Sequence, residues 1–324
     1  MPEFSTASNR PTRLALAGAG AFGAKHLAAL SRISDVGDVV LVEPDRTKVD
    51  ALGQPQVAGV VSSLDDVLSD ESVDGVILAT PTPIHSAQAV ACLEAGKHVQ
   101  VEIPVAESLD DAEAVARAQQ ASGRIAMVGH TRRFNPSHQF IHHRVLRDEF
   151  HLRHLVAETF FFRRENLNAR GEPRSWTDNL LWHHAAHTID LFRHQTQSRI
   201  TAANILAADV DPTLGIPLDM SIQLKTASGS LCTLALSFNN DGPFGTTFRY
   251  IGDSATYVAR YDELIDGYER PVDLSGVAVS NDGIELQDRE FVEAIREGRE
   301  PEASIRRVLP CYRVLGELQK QLSV

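Results

Sequence analysis

A short apolar strand running straight into a glycine-rich turn restricts this chain more than any other feature. Arg13-Leu14-Ala15-Leu16-Ala17-Gly18 leads into Ala19-Gly20-Ala21-Phe22-Gly23, and an alanine-rich helical pattern follows through Leu30. A dinucleotide-binding fold needs this order of elements. Gly18 permits the tight turn, Gly20 lets the backbone approach a pyrophosphate, and Gly23 lets the helix pack on the strand. The first N–H groups of the helix then meet phosphate oxygens, with Ala21 and Phe22 on the same turn. Glycine triplets also arise by chance, so the neighbouring pattern has to decide.

A second strand, Asp38 to Val42, ends at Glu43. An acid there accepts the ribose hydroxyls of an adenosine half and repels a 2′-phosphate, which favours NAD over NADP; Arg46 acts in the opposite sense. A solvated charge at a strand end is the plainer alternative. Strands follow at Gly75 to Ala79, His98 to Glu102 and Ile125 to Val128, alternating with helices near Pro83 to Ala95 and Ser108 to Ala121. That alternation predicts a parallel, doubly wound sheet, an α/β Rossmann domain over residues 13–128. Ligands of such sheets sit at the carboxyl ends of strands. This singles out Thr80-Pro81-Thr82-Pro83-Ile84-His85 and Glu102-Ile103-Pro104. For Thr82, helix-start chemistry explains the residue as well as ligand contact does.

After Gly129 the alternation stops. A helix at Pro136 to Arg147 precedes strands at Leu155 to Phe162, Ile200 to Ala207, Leu218 to Thr226, Ser230 to Phe238, Thr246 to Ile251 and Thr256 to Tyr261. Helices at Glu285 to Glu297 and Ile305 to Leu322 close the chain. Successive strands without intervening helices predict an α+β domain with a large, mainly antiparallel open sheet over residues 129–324. Substrate binding falls to this domain, and its open sheet face needs cover. Residues 1–12 are polar and read as a disordered leader.

The 324 residues suffice for two cores, and the net charge of −12 argues against nucleic-acid and anionic-membrane partners. Three widely spaced cysteines form neither a disulfide framework nor a metal spacing, which fits a reducing, cytoplasmic setting. No apolar run approaches membrane-spanning length.

The chain has no lysine between Lys97 and Lys225, yet nine of its thirteen histidines lie between His130 and His187. Nine arginines lie between Arg132 and Arg174. Such a bias points to an imidazole base and an anionic substrate, because guanidinium offers a planar bidentate fork to carboxylates. Arg132, Arg163, Arg164 and Arg174 are the candidate carboxylate ligands, although any one of them also reads as a solvated loop charge. On an α-helix His183 and His187 face the same way, one turn apart. His187 is the candidate base, with His183 as its alternative or orienting partner. Trp176 or Trp182 covers a planar substrate or packs in the core. The histidines lack a glutamate between them and a clear third ligand, so no metal is expected.

The glycine turn, Ala79-Thr80-Pro81-Thr82 with His85, and Gly96-Lys97-His98-Val99 running into Glu102-x-Pro104 resemble the nucleotide half of the Gfo/Idh/MocA oxidoreductase family. The resemblance implies an NAD(P)-dependent dehydrogenase in which Thr80, His85 and Glu102 line the nicotinamide ribose. That family usually carries Glu-Lys-Pro, so Ile103 removes its usual lysine. His187 aligns with the histidine of the family's Asp-x-x-x-His motif, and His183 then stands at the Asp position. Longer stretches resemble a narrower branch of the family: His130 to His138, Arg163 to Leu191, Ser237 to Pro243 and Gly283 to Phe291. Its members oxidise the cyclic hemiacetal of a ring-cleaved aromatic dicarboxylate. Two rival readings are a sugar or polyol dehydrogenase, which would keep the lysine, and a noncatalytic NAD(P)-binding sensor.

Overall fold

The computed structural model describes residues 10–53, 57–167, 171, 173–174 and 176–322. Most of the expected leader, residues 1–9, lies outside them, as do Asn168, Ala169, Arg170, Glu172 and Ser175 of the arginine loop. Thr12, assigned above to the leader, is instead buried and opens the first strand, where its N–H donates to Asp35 O.

The first sheet is built from β1 (Thr12–Ala17), β2 (Val36–Val42), β3 (Gly59–Val61), β4 (Gly75–Leu78), β5 (His98–Val101) and β6 (Ala126–Val128). Their order is β3-β2-β1-β4-β5-β6, parallel throughout. The chain reverses direction across the sheet between β1 and β4, the place where open α/β sheets leave a crevice for ligands. α1 (Ala21–Leu30), α2 (Arg46–Asp50), α3 (Leu64–Leu68), α4 (His85–Glu94) and α5 (Leu109–Ser122) connect the strands. Local chemistry sets their ends. Asp45 caps α2, Ser63 and Asp66 form a capping box on α3, and Ser108 caps α5, which stops at Gly123 in the left-handed region. The sequence pattern missed β3, α2 and α3, which have only three to five residues each. Elements that short barely show a period.

The second sheet contains β7 (Leu152–Phe160), β8 (Ile200–Ala207), β9 (Asp219–Thr226), β10 (Leu231–Ser237), β11 (Gly245–Gly252), β12 (Thr256–Arg260) and β13 (Glu263–Asp266). The order is β13-β12-β11-β7-β10-β9-β8. β7 and β10 run parallel at its centre and every other neighbouring pair is antiparallel. Burial alternates residue by residue along β9, so one face carries the core and the other is open. α6 (Pro136–Leu146) and α7 (Ala186–Thr196) belong with this sheet, and α8 (Gly283–Glu297) and α9 (Ile305–Leu322) end the chain.

The chain divides into two compact units, Met1–His130 with Ile284–Leu309, and Thr131–Gly283 with Pro310–Val324. A single boundary at residue 129 therefore assigns α8 wrongly. Its Phe291 and Ile295 meet Gly75 of β4, and its Asp288 pairs with His26 of α1. An amphipathic helix shows a face to bury, but its sequence does not say which sheet receives that face.

Candidate active site

In the first unit the glycine turn has the shape a dinucleotide requires. A Cβ on Gly18 would lie 2.4 Å from Ala79 O, and one on Gly23 would lie 1.9 Å from Gly18 O, so neither position admits a side chain. Around Gly20, by contrast, no protein atom lies within 4 Å of a Cβ. Gly20 precedes α1 without a side-chain cap, and Ala21 and Phe22 are exposed beside it. A pyrophosphate fits a cradle with open backbone N–H groups and no Cβ in the way.

Glu43 sits at the end of β2, but it is buried. Its Oε2 accepts from Ala19 N at 2.9 Å and its Oε1 from Asp45 N at 3.1 Å, so the carboxylate ties the turn to the strand. Lone pairs remain for a ribose hydroxyl. The cation beside it is Lys48, 3.9 Å from Oε1, and Arg46 is exposed on the first turn of α2. His85 spans the loops after β4 and β5, with Nδ1 2.8 Å from Pro104 O and Nε2 2.8 Å from Thr80 O. Burial lowers its pKa, and the two carbonyls act against that. Thr80 donates to Gln88 and Thr82 is buried in a short 3-10 turn, so these residues shape the loop. Glu102 accepts through Oε1 from His26 and Gln287, and Ile103 beside it is buried.

In the second unit Asp178 gathers the cations. Its Oδ2 accepts from Arg163 at 3.1 Å and from Arg174 at 2.9 Å, while its Oδ1 lies 3.9 Å from His183 Nδ1. Burial acts to raise the Asp178 pKa, but His183, Arg174 and Arg163 together hold it far below the usual carboxylate range. Arg163 also stacks on Phe238 and Arg174 on Trp176. Two guanidiniums share one carboxylate, so the cluster keeps an excess of positive charge. Arg163 Nη1 and Arg174 Nε are buried without a hydrogen-bond partner among the described residues. Asp178 escaped the sequence reading. Its signal was its position four residues after Arg174, the spacing of an opposite-charge pair.

His183 and His184 lie on a π-turn, Leu180–Ala185, capped by Asn179, whose side chain accepts from Leu181 N and Trp182 N. The uniform α-helical spacing expected between His183 and His187 is therefore wrong. His187 lies in the first turn of α7, beyond the wider turn. His184 packs between Phe161 and Phe238, and burial followed by the charges of His183, Arg163 and Arg132 keeps it neutral. Arg132 lies over the Tyr261 ring, near Asn135 and Asp262. Arg133 is committed elsewhere, in a buried bidentate pair with Asp190.

Two candidates do not join the cluster. Arg164 is exposed, donates to the carbonyls of Arg163 and Phe238, and stacks on Phe162. Trp182 is buried with its Nε1 on Gln319, a core residue, whereas Trp176 is half-buried beside Arg174. Burial raises the thiol pKa of all three cysteines, to about 12 for Cys92, which disfavours the thiolate. Among the described residues no helix is long and apolar enough to cross a membrane.

Residues 12–130 match the oxidoreductase family with an NAD-binding Rossmann fold, and residues 136–278 match the C-terminal region of bacterial oxidoreductases. A 4-carboxy-2-hydroxymuconate-6-semialdehyde dehydrogenase from Sphingobium sp. is 57% identical over 96% of this chain and 98% of its own. An inositol 2-dehydrogenase from Mycolicibacterium smegmatis is 31% identical over 67% of this chain and 63% of its own. Among solved structures, an oxidoreductase domain protein from Kribbella flavida superimposes with a TM-score of 0.84 over 97% of each chain, at 21% identity, a likeness of fold. With the glycine cradle and the two sheets, these likenesses place the chain in the Gfo/Idh/MocA family as an NAD(P)-dependent oxidoreductase.

Proposed function

We propose that this enzyme oxidises the cyclic hemiacetal of 4-carboxy-2-hydroxymuconate-6-semialdehyde to 2-pyrone-4,6-dicarboxylate, a step in the 4,5-cleavage of protocatechuate and so in the breakdown of lignin-derived aromatic acids. The 57% identity to the Sphingobium dehydrogenase over nearly the whole chain carries this reading. The excess cation around Asp178 supports it, because a neutral polyol has no use for paired guanidiniums.

The hemiacetal carbon loses a hydride and its hydroxyl a proton; a bound nicotinamide supplies the hydride acceptor. The chain's task is to take the proton and hold two carboxylates. His187 is the base, with His183 as the alternative or the partner that orients it; imidazole is the side chain most often used as a general base. Arg163 and Arg174 form one carboxylate site, and Arg132 on Tyr261 contributes to the other. Trp176 supports Arg174. Arg164 has no part in it.

Glu43 argues for NAD over NADP, and Lys48 weakens the preference. The enzyme works in the cytoplasm as a homodimer, two copies covering each other's open sheet face. Incubating the protein with NAD or NADP and the ring-cleavage product of protocatechuate, while following reduced-nicotinamide absorbance, tests the reading. Turnover of inositol in place of the diacid would favour a polyol dehydrogenase. Cofactor binding without turnover of either would favour a sensor.

A further inference from the structure

The Gly283 to Phe291 motif has no part in the chemistry above, yet α8 buries Gln287 and Asp288 from it completely within the first unit. They meet His26, fully buried on α1, the helix that follows the glycine turn. His26 Nδ1 lies 2.9 Å from both oxygens of Asp288, and Nε2 lies 3.1 Å from Glu102 Oε1. Gln100 of β5 donates to Asp288 at 2.6 Å, and Gln287 donates to Glu102 Oε1 at 3.1 Å. Gly129 closes the remaining side, where a Cβ would lie 2.6 Å from the same oxygen.

Ionised carboxylates only accept, so the ring can serve both acids only with a proton on each nitrogen. Burial opposes that charge, but Asp288 and then Glu102 lift the His26 pKa to about 10. Burial also raises Asp288. Glu102 is lowered despite its burial, by the hydrogen bond and charge of His26 and by Gln287. The groups facing the ring are thus Asp288 from α8 and Glu102 from the loop after β5, with His85 of α4 acting on Glu102. Oε2 of Glu102 takes no hydrogen bond from the described residues.

We propose that His26 is a positioning residue for the cofactor: held by Asp288, it fixes Glu102 as a carboxylate with Oε1 engaged and Oε2 left for a nicotinamide-ribose hydroxyl. This rests on Glu102 lining that ribose. The Gly283 to Phe291 motif then serves nucleotide binding from the far end of the sequence.

Two measurements test it, and neither needs turnover. In the free enzyme, imidazole 15N shifts should show His26 as imidazolium up to about pH 9; a neutral ring at pH 8 would overturn the proposal. For binding, the Kd for NAD is titrated across about pH 5–9. His26→Gln leaves two buried carboxylates without their cation, which then share a proton. It should weaken binding about tenfold and add a pH dependence that the unsubstituted enzyme lacks. Adding Asp288→Asn to that variant should remove the pH dependence and recover most of the affinity. A folded His26→Gln enzyme with unchanged Kd and pH profile sinks the positioning role. Glu102→Gln separates the two ideas: if it binds NAD normally, the ribose assignment itself is wrong, and the positioning role falls with it.

Discussion

The two units handle buried charge in opposite ways. In the first, one imidazole sits between two acids, and Asp288, Glu102, Gln100 and Gln287 engage its ring or each other. In the second, two guanidiniums and His183 surround the single carboxylate of Asp178, and guanidinium nitrogens remain without partners among the described residues. The first arrangement is negative, with its one cation engaged on both ring nitrogens, suited to holding a residue still. The second is positive and incomplete, suited to receiving an anion. A buried cation left short of partners is costly unless something arrives to complete it.

The largest expected effect tests the chemistry on the open side. His187→Asn should lower kcat by about two to four orders of magnitude with cofactor binding intact. Near-normal turnover would remove His187 from the mechanism, and the same substitution at His183 shows which imidazole takes the proton. The buried Arg133–Asp190 pair behaves differently. Arg133→Met removes the bidentate partner of a buried carboxylate, so it should cost about 3–5 kcal/mol of stability, measured by denaturant unfolding. A loss well under about 1 kcal/mol would show that Asp190 finds another partner.

Arg163→Ala or Arg174→Ala should raise KM for the diacid roughly ten- to hundredfold, about 1.5–3 kcal/mol. Arg164→Ala, exposed and outside the cluster, should leave KM within about twofold. If all three behave alike, the cluster around Asp178 is not the anion site. The pH response then separates the units. His26 has a raised pKa, so its stabilisation is full below 6.5 and is lost as pH rises through about 10. Asp178 is depressed, so its contribution is present above 3.8 and is lost as pH falls further. Melting curves should show that His26→Gln flattens the alkaline side and Asp178→Asn the acid side. The smallest effect concerns the cofactor: Glu43→Gln should narrow the NAD over NADP ratio of kcat/KM, and an unchanged ratio would take Glu43 out of the selection.

Much of the nucleotide unit was legible because its constraints are local. Gly18, Gly20 and Gly23 are required within one turn, and the caps of α3 and α5 lie next to the helices they start. The antiparallel strands were visible as separate apolar runs, but their bounds moved, as where Leu155 to Phe162 became Leu152–Phe160. The parallel β7–β10 pair was not visible, since pairing direction depends on strands about eighty residues apart. In the site, residue type pointed to Arg163, Arg174 and His183. Their common partner Asp178 was missed because an isolated acid in a polar loop looks solvated.

Taken alone, the sequence determined the dinucleotide turn, the two kinds of sheet, and a concentration of histidine and arginine in a stretch without lysine. Each follows from residue type or from short periodicity. Only the tertiary structure decided that α8 belongs with the first unit, that Glu43 holds the turn from within, and that a π-turn separates His183 from His187. It also decided that Arg164 stands apart from the other arginines. These are matters of which distant groups share a buried space. Charges separated by up to 262 positions along the chain, as His26 and Asp288 are, interact only after folding removes the water between them.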